Sequence, residues 1–177
     1  MGVISTLAAS RGYHECVSCT TTNRKPELEI EFYSRPSYLA IIRHMIDTLC
    51  GRLGYMPAES SQICLAVDEA LCNVIRHGYD LREDGRIRVQ LHERTDLGLL
   101  EVVIEDDARQ VELHTIRSRD LEDVRPGGLG VHLINEIMDD AEYEHRDGGG
   151  MRLRMRKKLP MTESTDSARL EVDAGDS

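Results

Sequence analysis

The 177-residue chain has no tryptophan, one phenylalanine and few aromatic residues of any kind (4 %). Any core it builds is therefore mostly aliphatic, drawn from a hydrophobic content of 40 % that suffices for one. No apolar run reaches membrane-spanning length, which excludes a transmembrane helix. Basic residues are in the minority, 22 against 32 acids, for a formal charge of −10. That excludes a general nucleic-acid binder, because phosphate backbones need a basic face. Met1 to Ser10 lacks the basic lead and the long apolar stretch of a secretory signal. The five cysteines are odd in number and follow no framework spacing, so a reduced, cytoplasmic setting is expected rather than a disulfide scaffold.

The ends differ from the middle. Residues 160–177 hold five acids and one base in a Ser/Thr/Asp/Gly mixture, the composition of a disordered acidic tail. Residues 1–27 are small, polar and irregular, and read as a flexible leader. They contain one Cys-x-x-Cys (Cys16, Cys19) beside His14. A structural zinc site needs four ligands and no second pair follows, so metal binding is the weaker reading there. The segment between, 28–159, keeps a formal charge of −7, so the acidity belongs to the domain itself.

Within 28–159 the hydrophobic period changes in a readable order. Leu28, Ile30 and Phe32 alternate with polar neighbours and predict a half-buried strand. Ser34-Arg35-Pro36-Ser37 breaks the chain and is suited to cap a helix, which Leu39, Ile42, Met45, Ile46 and Leu49 continue to about Gly51 or Gly54. Pro57 opens a second helix that runs to about His77 and closes at Gly78. Two strands follow, at Ile87–Leu91 and Leu99–Ile104, then a charged loop over 107–126. A third helix begins near Gly130, and Ala141–His145 and Met151–Lys157 form a final pair of strands around Asp147-Gly148-Gly149-Gly150. This order predicts an α+β two-layer sandwich, a mixed β-sheet with three helices packed on one face.

Three places carry candidate chemistry. On the second helix Glu69, Asn73 and His77 are spaced four apart, so they share one narrow stripe. At about 100° per residue the stripe lies beside the apolar arc of Ile63, Val67, Ala70, Leu71 and Val74, at the edge of the core where a cleft can open. A solvated helix face is one reading of the stripe. A metal–phosphate site is the other: an Asn carbonyl suits Mg²⁺, and a carboxylate one turn away can take a proton. Arg125-Pro126-Gly127-Gly128-Leu129-Gly130 leads straight into a helix, where glycines and unpaired amides form either a phosphate cradle or simply a tight loop. Asp106 ends a strand just before the charged loop. It is either part of a charged turn with Glu105 and Asp107 or a carboxylate placed to accept from an exocyclic amine such as that of adenine.

Taken in order, these pieces resemble the ATP-binding domain shared by gyrase, heat-shock ATPases, sensor histidine kinases and mismatch-repair ATPases. Within that superfamily the chain is most similar to the stand-alone anti-sigma-factor serine/threonine kinases. The resemblance covers about 28–159 and rests on Ser34-Arg35-Pro36, on Val67 through His77, on Ile104 through Arg109, and on Gly127 through Ile134. It implies a histidine-kinase-like ATPase fold that binds ATP and Mg²⁺. Asn73 would hold the Mg²⁺ that bridges the phosphates, and Glu69 would be the general base for a serine hydroxyl or a water. Asp106 would bond the adenine amino group, and Gly128 and Gly130 would offer amides to the phosphates. His77, Ala108 and Leu129 would complete the ATP-binding set, Arg125 would reach the γ-phosphate, and 107–126 would form the lid.

The chain departs from that pattern at three positions. The family's Asp-x-Gly-x-Gly reads Asp106-Asp107-Ala108-Arg109-Gln110, with both glycines replaced, and Met151 stands where many relatives place a threonine. Gln110 is expected to stiffen the lid entrance or narrow the adenine pocket. Glu69 stands where sensor histidine kinases usually carry Asn, and the leader is expected to be too short for their dimerising hairpin. The resemblance therefore implies a protein serine/threonine kinase that phosphorylates an anti-sigma-factor antagonist and also binds a sigma factor, as a homodimer. A non-catalytic nucleotide-sensing or sequestering module is the alternative.

Overall fold

The computed structural model describes residues 25–111 and 129–160. Alternation at its start produces strand β1 (Leu28–Tyr33), and Pro36 opens a single 3-10 turn (Pro36–Tyr38) that runs into helix α1 (Leu39–Arg52). Proline suits that place because its fixed φ fits a first helical turn, where its missing N–H has no partner to lose. Ser34 does not cap the helix. It is fully buried, donates its hydroxyl to the Arg82 carbonyl (2.5 Å) and accepts from the Gly85 amide (3.1 Å). The end of β1 is thereby fastened to a distant loop. Gly54, at φ +88°, turns the chain after α1. Pro57 then begins helix α2 (Pro57–Asn73), and the Glu59 carboxylate closes its first turn by accepting from the Met56 amide (3.0 Å).

Regular α-helix ends sooner than the periodicity predicts. Val74–Gly78 is a π turn, with the Tyr79 amide reaching the Val74 carbonyl (3.0 Å). Asp80 and Leu81 then adopt left-handed φ values of 50° and 64°, and the chain reverses into strands β2 (Arg86–Arg94) and β3 (Leu99–Asp106). Helix α3 (Leu129–Ile137) leads to β4 (Asp140–His145) and β5 (Met151–Lys158).

The strands lie in the order β1-β2-β3-β5-β4, and every neighbouring pair is antiparallel. The expectation of a mixed sheet is corrected on this point. Strand β4 does run parallel to β3, but the β4–β5 hairpin folds back so that β5 fills the slot between them. The two-layer α+β arrangement with three helices on one face is otherwise as read from the sequence. Ile42 and Ile46 of α1, Ile63, Val67 and Leu71 of α2 and Ile134 of α3 are buried with Val89, Leu91, Val102, Ile104 and Met155 of the sheet. Each contributes about 1.5–3 kcal/mol by leaving water. Cys50 and Cys64 are free thiols within this core, and burial pushes Cys50 up to about 12, so it behaves as a small hydrophobe. His14, Cys16, Cys19 and most of the acidic tail lie outside the described residues.

No described helix covers the opposite face of the sheet, which is built from charge. Glu31, Arg88, Glu105, Arg152 and Glu144 stand directly opposite one another across all five strands. Arg88 lies 3.0 Å from Glu31 and 3.4 Å from Glu105, and Arg152 lies 2.7 Å from Glu105 and 3.2 Å from Glu144. A second rung runs Glu101–Arg156–Asp140. Between them Arg154 reaches Glu144 at 3.0 Å. Val103, on this face, is only 4 % exposed. Glu105 is the most heavily engaged acid, buried with Arg88, Arg146 and Arg152 within ion-pair reach. Removing its charge leaves those guanidinium groups short of an anion. Glu105→Gln is expected to lower unfolding stability by about 3 kcal/mol in urea denaturation. A loss under roughly 0.5 kcal/mol would show that water screens the ladder instead.

Candidate active site

Helix α2 delivers the Glu69–Asn73 pair one turn apart, both half-buried at the rim of the core. They face the amino-terminal end of α3. A Cβ placed on Gly130 would come within 2.9 Å of Glu69 Oε2 and 3.2 Å of Asn73 Nδ2. The two side chains therefore occupy the space that any larger residue at 130 would need. Their approach brings a carboxylate and a carboxamide to backbone at the positive end of a helix dipole. His77 does not continue the stripe with the same angular step, because it sits in the π turn, whose residues advance less per step than those of an α-helix. It is exposed and lines the adjoining cavity.

That cavity has a volume of about 150 Å³. Asn73, Val74, His77 and Gly78 line it from α2 and its π turn, and Ile104 and Asp106 from β3. Val131 lines it from α3, and Tyr143, Met151 and Leu153 from the hairpin. The lining is mostly apolar with a few polar groups among it, as small-molecule sites are. Asp106 is 5 % exposed. Its Oδ1 accepts from the Ala108 amide (2.8 Å) and the Met151 amide (3.3 Å), and Arg146 donates to its backbone carbonyl (2.5 Å). Burial raises its pKa above the ordinary aspartate value even so, with the two amide bonds and the Arg146 charge pulling the other way. Tyr143 is pushed up to about 12 by burial alone, so its phenol stays a neutral donor.

Several supporting residues escaped the sequence reading because no local pattern announces them. Tyr79 donates to the Arg86 carbonyl (2.5 Å) and accepts from the Asp107 amide (2.9 Å). It thereby ties the end of the π turn to the start of β2 and the end of β3. Its ring lies where Gly85 would otherwise carry a Cβ, 2.4 Å away. Arg146 also reaches Asp107 Oδ1 at 2.7 Å. Gln110 neither lines nor narrows the cavity. Its amide donates to the carbonyls of Arg146 (3.0 Å) and Gly150 (3.3 Å), and so stitches the chain leaving β3 to the β4–β5 turn. Ala108 packs against Gly78, where a Cβ would lie 3.0 Å from its own. Of the remaining predicted site residues, Leu129 opens α3, and Arg125 and Gly128 lie outside the described residues. No cluster of three or more metal-ligating His, Cys, Asp or Glu occurs among the described residues.

The family model for the histidine kinase-like ATPase domain matches residues 32–157, a span that contains every one of these groups. The chain belongs to that family. As a histidine kinase-like ATPase domain it is similar over most of its length to curated relatives. One is the serine-protein kinase RsbW of Halalkalibacterium halodurans, 29 % identical over 148 residues, which are 78 % of this chain and 88 % of that one. Another is the serine-protein kinase RsbW of Bacillus subtilis, 27 % identical over 134 residues, 71 % of this chain and 82 % of that one. The solved SiaB–SiaC complex from Pseudomonas aeruginosa shares the fold, with a TM-score of 0.57 at 16 % identity, covering 75 % of this chain and 89 % of that one.

The buried carboxylate yields a testable trade-off. A raised folded-state value means that the folded chain holds the Asp106 proton more tightly than the unfolded chain. Its ionised form therefore costs stability as the pH rises through that value, and the cost disappears on acidification. Asp106→Asn keeps an acceptor for both amides without the charge. The variant is expected to be at least as stable as the parent at neutral pH, with the difference shrinking as the pH falls through the carboxylate range, and to lose affinity for adenine nucleotides. Urea titrations at several pH values check the first part and calorimetry the second. A destabilised variant at neutral pH would show that the Arg146 and amide interactions outweigh burial.

Proposed function

We propose that this chain is an ATP-dependent protein serine/threonine kinase of the anti-sigma-factor type, working in the cytoplasm. Its substrate would be a serine on an anti-sigma-factor antagonist protein, its second partner a sigma factor, and its assembly a homodimer. The observation that carries this reading is the meeting of Glu69 and Asn73 at the bare backbone of Gly130, beside a cavity that Asp106 lines. The relatives named as serine-protein kinases support the choice of reaction.

Each residue has a distinct task in this reading. Asp106 keeps Oδ1 on two backbone amides and turns its other oxygen to the amino group of adenine. Gly130 adds no side chain of its own beside Glu69 and Asn73, so phosphates held by that pair would lie close to the amino-terminal amides of α3. The donor set fits Mg²⁺: Asn73 offers a neutral oxygen in reach of that cradle, and an ion that keeps most of its waters needs few protein ligands. When bound, the ion neutralises charge on the phosphates. Glu69 is half-buried, one turn from Asn73, and takes the proton from the attacking serine hydroxyl. Gln110 is tied to the hairpin and leaves the cavity open, which favours catalysis over the alternative of a non-catalytic sequestering module.

The test is transfer of label from γ-labelled ATP, with Mg²⁺, to an antagonist protein. Glu69→Ala is expected to lower transfer about a thousandfold while ATP still binds. Asn73→Ala is expected to weaken the Mg²⁺-dependent part of ATP binding. Undiminished transfer by Glu69→Ala would remove the assigned base. A folded chain that binds neither ATP nor ADP would turn the reading to the sequestering module.

A further inference from the structure

The family pattern has its second variable position at 109, and no role attaches to it from the motif. In this chain the position holds Arg109, which is exposed and lines the cavity. The backbone around it is fixed. On one side the Ala108 amide bonds Asp106 Oδ1, and on the other Gln110 is bound to the Arg146 and Gly150 carbonyls. The His145 ring then reaches the Val111 carbonyl at 2.9 Å. Residues 108, 110 and 111 are thus stitched to the strand end and the hairpin turn, and the side chain between them is left over.

Charge makes that side chain stand out. The other described arginines, Arg76 excepted, lie within ion-pair distance of a carboxylate. Arg109 has no such partner among the described residues, and Arg76 does not line the cavity. The charged groups that line the cavity are therefore Asp106 and Arg109, in a chain whose formal charge is −10. A polyanion approaching such a protein meets net repulsion, so a local cation at the entrance has a large relative effect on its binding. A guanidinium also suits phosphate oxygens better than any other side chain, because its fork can donate two parallel hydrogen bonds.

We propose that Arg109 is a ligand-binding residue: held in place by the stitched segment 108–111, its guanidinium binds the phosphate chain of the nucleotide at the mouth of the cavity. This inference rests on the nucleotide reading given above and adds to it a specificity for charge. Arg109 thereby favours di- and triphosphates over the bare nucleoside.

The test is calorimetry of the full chain with Mg²⁺ and a non-hydrolysable ATP analogue, with ADP, and with adenosine. Arg109→Gln is expected to weaken the analogue and ADP by about tenfold or more and to leave adenosine within about twofold of the parent. Arg109→Lys is expected to restore part of the loss, and the parent's affinity for the analogue is expected to fall more steeply with salt than that of Arg109→Gln. Equal loss for all three ligands would show that the side chain serves the base or the cavity wall and would overturn the proposal. Unchanged affinities in Arg109→Gln would overturn it while leaving the nucleotide reading intact. A parent chain that binds none of the three would overturn both. The residue is exposed, so its replacement is expected to leave the thermal midpoint unmoved, and a matching melting curve certifies the comparison.

Discussion

The site depends on a contact that a methyl group would crowd. Helices α2 and α3 approach until the side chains of Glu69 and Asn73 stand against the backbone of Gly130. Ile63, Ala66 and Ala70 of α2 and Ile134 of α3 are buried in the same core. The approach needs a helix start with no side chain at its second residue. Packing thus sets the distance between an acid–amide pair and a set of helix-terminal amides, and the chemistry follows from the distance.

How much of this was legible in the sequence divides along the range of the interactions. The helices and strands were readable from Leu28 to Lys157 because their hydrophobic periods are local, and the Glu69–Asn73 spacing is local too. The strand order was not, since nothing near β5 states that it will slip between β3 and β4. Ser34 shows the same limit. Its neighbours Arg35 and Pro36 suggest a helix cap, yet its hydroxyl bonds Arg82 and Gly85. Tyr79 and Arg146 carry no local signal because their partners lie in other elements. Gln110 was visible as a departure from a glycine, but only the fold shows that its amide turns to the hairpin and away from the cavity.

The early end of α2 also has a structural purpose. A π turn followed by two left-handed residues is a costly way to leave a helix. Tyr79 compensates by bridging β2 and β3 with its hydroxyl, and the Leu81 amide recovers a bond to the Ile75 carbonyl (2.9 Å). The wider turn carries His77 and Gly78 onto the cavity wall. Such irregular helix turns are concentrated at functional sites, and in sequence this one lies between Glu69, the proposed general base, and Asp106, the carboxylate proposed to bind adenine.

The arginine row of β5 has one more implication. Arg152, Arg154 and Arg156 are interchangeable in charge, and Met151, Leu153 and Met155 are interchangeable in greasiness, so sliding β5 by two positions would satisfy both faces almost as well. The side chains alone leave the strand with an ambiguous address. What resolves it is the head of the strand: the Met151 amide on Asp106, and Gly150, where a Cβ would fall 1.9 Å from the Asp106 carbonyl. The carboxylate that lines the cavity is thus also the peg on which the last strand is hung. Evolution cannot retire it for one duty without rewriting the other.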